Sequence, residues 1–138
     1  MQVAFPGASD QAYHADVPGV PADVFEAHEG AAPGALPPHQ LVVFRPLVDL
    51  SPDVGPTAFL PGTHQPWAAE FLRDEAAQPG SSGAGAPAVL HVDAGDAVIF
   101  DARVQHAGGA NRSAAPRPVL YSVYTRPWFT PELHRDIV

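Results

Sequence analysis

The sequence predicts an all-β fold, an antiparallel sandwich or barrel, and three observations carry that expectation. Seventeen Pro and twelve Gly interrupt the 138 residues so often that long helices have little room. The apolar stretches are short and rich in β-branched and aromatic residues. Turn signals stand between them at close intervals. With 46% hydrophobic and 16% charged residues the chain has a globular rather than a disordered balance, and its length suits one domain over residues 1–138.

Taken in order, His39–Leu50 (HQLVVFRPLVDL) reads as a strand in which Pro46 marks a bulge or an edge. Ala88–Val92 and Ala97–Asp101 are two short strands separated by the turn residues Ala94, Gly95 and Asp96. Arg117–Thr125 (RPVLYSVYT) is the most strand-like segment of all. Two stretches break the rhythm. Gln65–Ala77 spaces Trp67, Phe71 and Leu72 for one helical face behind Pro66, so a short helix is expected there. Val17–Pro38 and the low-complexity Gln78–Pro87 read as long loops, the kind that often carries function.

Charge and composition exclude several function classes. All seven basic residues are Arg, against fifteen acids, and the net charge of −8 opposes binding to a phosphate backbone, so no nucleic-acid partner is expected. With no Cys, thiol catalysis and zinc ribbons are excluded, which leaves seven His and the carboxylates as metal ligands. No apolar run can span a bilayer, and residues 1–7 have no secretory pattern, so a cytoplasmic protein without membrane contact is expected.

Two His-x-Asp tripeptides offer chemistry, His14-Ala-Asp16 and His91-Val-Asp93. On a strand, residues two apart share a face, so either pair could hold a divalent metal with one more ligand. Alone, each pair reads better as a solvated strand end than as a metal site. The later segment adds to this: His106 follows an apolar strand, and Arg117 opens the next one. Two His and one carboxylate on one face of a metal leave three positions open, the arrangement of non-haem Fe(II) oxygenases. A 2-oxo acid bound there needs a planar cation for its distal carboxylate, and Arg supplies one. In the Arg117 strand, Val119, Tyr121 and Val123 share that face, giving an apolar interior with one cation at its mouth.

The pattern resembles the phytanoyl-CoA dioxygenase family of iron- and 2-oxoglutarate-dependent oxygenases. The resemblance rests on Pro6-Gly7 leading to Gln11-x-x-His14-x-Asp16, then on Gly55-Pro-Thr57-x-Phe59-x-Pro-Gly-Thr-His64. It continues through Gly95-Asp-x-x-x-Phe100-Asp101-x-Arg103-x-x-His106, Asn111-x-Ser113, Arg117 and Tyr124-x-Arg-Pro-Trp128-Phe129. It implies a double-stranded β-helix, a cupin-like jelly roll with one short helix and long loops. It further implies His14, Asp16 and His106 as iron ligands, and Arg117 as the 2-oxoglutarate anchor with Gln11 and Thr57 beside it. Fe(II), the cosubstrate 2-oxoglutarate, O2 and a small organic substrate to be hydroxylated follow from the same resemblance. Because Asp16 is present, hydroxylation is expected rather than halogenation, which needs a small residue there. The alternative is an incomplete or degenerate family member that keeps the fold without turnover.

Against that pattern His91 and Asp93 fall away as ligands. Their third ligand would be His106, 13 residues on, or His134, which has no downstream Arg but its neighbour Arg135. His64 is expected to fix a loop, His28, His39 and His134 to lie at the surface, and Asp101 and Arg103 to form a supporting ion pair. Arg112, among small and polar residues, is expected to face solvent. Trp67, Trp128 and Phe129 read as core or contact aromatics. Family members being longer, the chain is expected to lack an N-terminal segment, exposing an apolar edge near Met1 that favours self-association.

Overall fold

The computed structural model describes residues 1–17, 37–64, 86–127 and 129. They form two antiparallel sheets. One has the order β1 (Gln2–Ala4), β7 (Arg117–Thr125), β2 (Gln40–Pro46) and β5 (Val98–Asp101). The other has the order β4 (Ala88–Val89), β3 (Thr57–Phe59) and β6 (His106–Gly108). Apart from a 3-10 turn at Pro52–Val54, no helix stands among the described residues. This is the jelly-roll arrangement. The segments carrying the expected helix at 65–77, most of both long loops, and His28, Trp67, Trp128 and His134 lie outside the described residues.

The first sheet is centred on the pairing of β2 with β7, which holds register from Gln40 opposite Thr125 to Pro46 opposite Val119. Strand β7 has the bounds that its β-branched and aromatic composition predicts, whereas β2 stops at Pro46 rather than Leu50. Pro46 sits two residues beyond Phe44, the last residue paired with β5, where the missing N–H leaves no gap in that ladder. The run Ala88–Val92 shortens to two paired residues. Its chain then turns at Gly95, whose φ of +98° is open to Gly at little cost, and crosses from one sheet to the other.

Period two decides the interior. Val42, Phe44, Phe100 and Val119 project from one face of the first sheet and meet Phe59 of the second, with Val17 and Ala102 closing the cluster. Phe100 lies edge-on to both Phe44 and Phe59, with ring centroids 4.9 Å away in each case. Two readings change here. Val123 is exposed, so the apolar face of β7 ends at Tyr121. His39 is buried rather than superficial, because it packs on the ring of Phe129, with centroids 4.1 Å apart.

The N-terminal segment runs antiparallel beside residues 102–111. Gly7 donates to the carbonyl of Asn111, Gln11 to that of Gly108, and Asp16 to that of Ala102, at 2.9, 2.9 and 3.0 Å. It therefore continues the second sheet past β6. The edge near the chain start carries exposed apolar residues, Met1 and Phe5.

Candidate metal and cosubstrate site

The site grows from this pairing. His14 and His106 face each other as an isolated antiparallel bridge, so their side chains leave the sheet on the same side. The ring centroids are 4.6 Å apart. Asp16 is two residues beyond His14, and its Oδ2 lies 3.8 Å from His106 Nε2. One ligand atom from each of His14, Asp16 and His106 lies within 4.8 Å of the other two, the one such cluster among the described residues.

Both imidazoles are set for coordination in the same way. His14 Nδ1 is 3.0 Å from the carbonyl of Ala12, and His106 Nδ1 is 3.0 Å from the carbonyl of Val104. A carbonyl only accepts, so each Nδ1 carries a proton, and in the neutral ring Nε2 keeps the lone pair. A backbone partner on the far nitrogen is how metal-binding His rings are commonly oriented. Burial, opposed by the Val104 bond and the Asp16 charge, pulls the His106 pKa below the ordinary imidazole value and favours its neutral, ligating form. Phe100 and Phe59 wall its ring, with centroids 5.0 and 5.9 Å away.

The turn ahead of β6 aims His106. Asp101 accepts from the Arg103 backbone N–H at 3.0 Å and from Arg103 Nε at 2.9 Å, forming the expected ion pair in a nearly dry setting. Those bonds hold Ala102, whose carbonyl accepts from the N–H of Asp16. One turn thus positions two of the three candidate ligands. In the Pro-Gly-Thr-His segment the loop is fixed by Thr63, which donates to Leu60 and accepts from the Gln105 N–H, at 2.8 Å each.

Composition alone gave Tyr121 only an apolar role. Its hydroxyl donates to Asp16 Oδ2 at 2.7 Å. Burial, reinforced by that bond and by the Asp16 charge, raises its pKa far above the ordinary phenol value, so it remains a donor. The signal was present in the strand period, which turns Tyr121 to the same face as Arg117.

Arg117 lies at the opposite end of that face. Its Nη1 donates to the carbonyls of Gly109 and Val54 at 3.1 and 3.3 Å. It has no carboxylate partner among the described residues. Desolvation lowers its pKa, as expected of a half-buried cation. Arg117 and Thr57 are the polar groups of an open cleft otherwise lined by Phe44, Pro46, Leu50, Phe59 and their apolar neighbours. Gln11 approaches from the other side, its Oε1 accepting from the Gly108 N–H at 2.9 Å. A side chain at Gly108 would press on both Gln11 and Arg117, so the Gly keeps that corner open.

His91 and Asp93 stand apart. The His91 ring donates to the Leu50 carbonyl at 3.2 Å, and neither residue joins the cluster. Arg112 is exposed, its nearest acid being Asp10 at 3.8 Å.

The model of the phytanoyl-CoA dioxygenase family (PhyH) matches residues 1–119. The chain belongs to that family. As a PhyH member it shares its fold with AviO1 from Streptomyces viridochromogenes Tue57, at a TM-score of 0.65 and 22% identity over 94% of this chain and 49% of that one. SnoK, a non-heme alpha ketoglutarate dependent carbocyclase from nogalamycin biosynthesis, superposes with a TM-score of 0.62 at 22% identity, covering 89% and 47%. EctD from S. alaskensis, solved with 2-oxoglutarate and 5-hydroxyectoine, gives 0.58 at 17% identity, covering 89% and 41%. This PhyH chain spans about half the length of each of these proteins.

Proposed function

We propose that this chain is the catalytic core of an Fe(II)- and 2-oxoglutarate-dependent oxygenase that hydroxylates a small organic molecule. The observation that carries the reading is the convergence of His14, Asp16 and His106, with both imidazole Nδ1 atoms already bonded to backbone. Two neutral imidazoles and one carboxylate suit a divalent first-row metal and leave positions for cosubstrate and O2. Fe(II) held there supplies oxygen activation, coupled to decarboxylation of 2-oxoglutarate to succinate and CO2.

The protein's own part is binding and orientation. Arg117 takes the distal carboxylate in a charge-assisted pair at the end of an apolar cleft, and Thr57 and Gln11 complete the polar contacts. Phe44, Phe59 and Val119 keep water from the methylene chain of the cosubstrate. The buried face of His106 and the Asp101–Arg103 turn hold the ligand set rigid while substrate enters from the exposed side at His14. The chain thereby uses 2-oxoglutarate, O2 and a small-molecule substrate in the cytoplasm.

Anaerobic titration with Fe(II) and then 2-oxoglutarate, followed by assay of succinate after admission of air, tests this. One Fe(II) per chain, cosubstrate binding and succinate release are expected. Metal and cosubstrate binding without any succinate would identify a fold-retaining member that does not turn over. Failure of the wild-type chain to bind metal would refute the reading.

A further inference from the structure

Tyr121 is bonded to a carboxylate contributed from the other end of the chain. The hydroxyl donates to Asp16 Oδ2 at 2.7 Å, and the same oxygen faces His106 Nε2 at 3.8 Å. The ring is itself held by packing against Phe44, with centroids 5.2 Å apart, and by its place in the longest strand pairing among the described residues. Asp16 therefore receives two constraints from separate elements. Its backbone N–H is bonded to Ala102, and its carboxylate to Tyr121.

A carboxylate on a divalent cation can bind through one oxygen or close on the ion with both. Closing with both would consume one of the positions that cosubstrate and O2 need. A phenol donating to one oxygen takes up one of its lone pairs and fixes the plane of the carboxylate.

Resting on the metal assignment above, we infer that Tyr121 is a positioning residue that holds Asp16 in a one-oxygen mode and pre-orients it for the metal. The ion itself need not touch Tyr121. The strand then has a double use, with Tyr121 ordering the metal end of its inward face and Arg117 the far end. The two residues are two same-face steps apart with Val119 between them, about 13 Å along the strand, so each serves its own end of that face.

Removal of the hydroxyl alone isolates the effect. Tyr121→Phe keeps the ring and its packing, and it is expected to weaken Ni(II) or Co(II) binding about tenfold by calorimetry. Purely structural packing would not produce coupling, so the same substitution is also made in an Asp16→Ala background, where the two His still bind Ni(II) weakly. There Tyr121→Phe should change affinity less than twofold. The Co(II) visible spectrum gives a second readout, since closure of Asp16 onto the ion in Tyr121→Phe changes the intensity of the ligand-field bands. If Tyr121→Phe does not fold, 3-fluorotyrosine labelling of the wild-type chain gives the answer by fluorine NMR. The Tyr121 signal should shift on Zn(II) binding and that of Tyr124 should not. Equal Ni(II) affinities for wild type and Tyr121→Phe, equal losses in both Asp16 backgrounds, or an unmoved Tyr121 signal would overturn this inference alone. A wild-type chain that binds no metal would overturn it together with the proposed function.

Discussion

His14 and His106 are joined twice, through the backbone and through their rings. Each donates its N–H to the other's carbonyl, at 3.0 and 2.9 Å, and the two imidazole centroids stand 4.6 Å apart. The pairing fixes the separation of two candidate ligands without using either side chain, so both Nε2 atoms stay available.

That relationship predicts how metal acts on stability. A ligand present at 100 times its dissociation constant stabilises the folded state by about 2.7 kcal/mol, which for a chain of this size raises the melting temperature by roughly 10 °C. Ni(II) or Co(II) should produce such a shift in the wild type, and chelation should reverse it. His14→Ala and His106→Ala should abolish it, while His91→Ala should behave as wild type because His91 is engaged with Leu50. Differential scanning calorimetry reads all four proteins.

How much of this was legible in the sequence depends on how local each signal is. The strand at Arg117–Thr125 was readable to the residue, because Val119, Tyr121, Val123, Tyr124 and Thr125 crowd it with β-branched and aromatic side chains. The three-residue strands Gln2–Ala4, Thr57–Phe59 and His106–Gly108 carry too few side chains to show a period, and they exist because partners arrive from elsewhere. The strand period marks Arg117 as a cation at the mouth of an apolar face, whereas Gln11 and Thr57 come beside it only through the family resemblance, since a cleft is a property of the assembled sheets. His39 was misread for the same reason. Its neighbours in sequence are Pro37, Pro38 and Gln40, whereas its neighbours in space are Phe129 and the Asp101–Arg103 turn.

Acid should destabilise the metal-free protein. Burial lowers the pKa of His39, helped by the Arg103 charge, and burial likewise lowers that of His106. In both the unfolded chain binds a proton more readily than the folded one. Their contribution is therefore fully present above the ordinary imidazole pKa of about 6.5 and is lost as pH falls through that value towards the folded ones. Asp101, held below its ordinary value by Arg103 against the opposing effect of burial, extends the loss into the carboxylate range. Thermal melts between pH 8 and pH 5 should show a falling midpoint, less steep in His39→Leu. A flat profile would contradict the assignment.

Two glycines near the proposed cosubstrate corner should respond differently to a methyl group. At Gly55 a Cβ would lie 2.3 Å from the carbonyl oxygens of both Gly109 and Ala110, and the backbone has a φ of +75°. Neither obstacle can move, so Gly55→Ala should cost about 3 kcal/mol or more. At Gly108 the Cβ would meet Gln11 Oε1 at 2.7 Å, the far end of a flexible side chain, and Arg117 Nη2 at 3.3 Å. Gly108→Ala should therefore fold with a loss of about 1 kcal/mol or less, swing Gln11 away, and weaken 2-oxoglutarate as Gln11→Ala does. Denaturant melts and cosubstrate titrations of the three variants separate the two behaviours.

The two arginines flanking the Asn111 loop give the last prediction. Arg112 is exposed and 3.8 Å from an equally exposed Asp10, a setting in which an ion pair contributes about 0–1 kcal/mol. Arg117 is half-buried, braced through Nη1 by Gly109 and Val54, and has no acid beside it among the described residues. Bracing by carbonyls aims the guanidinium into the cleft while leaving its charge uncompensated, so an incoming carboxylate gains the whole pairing. A charge-assisted hydrogen-bonded pair there contributes about 1.5–3 kcal/mol, a factor of about 10 to 150 in affinity. Arg117→Ala should weaken 2-oxoglutarate by that factor with metal binding nearly unchanged, because none of the three candidate metal ligands touches it. Arg117→Lys should recover only part of the loss, since a point charge cannot present the two parallel donors of the planar fork. Arg112→Ala should alter neither titration. Calorimetry of 2-oxoglutarate into the metal-loaded variants measures each quantity, and a larger loss for Arg112→Ala than for Arg117→Ala would reverse the assignment.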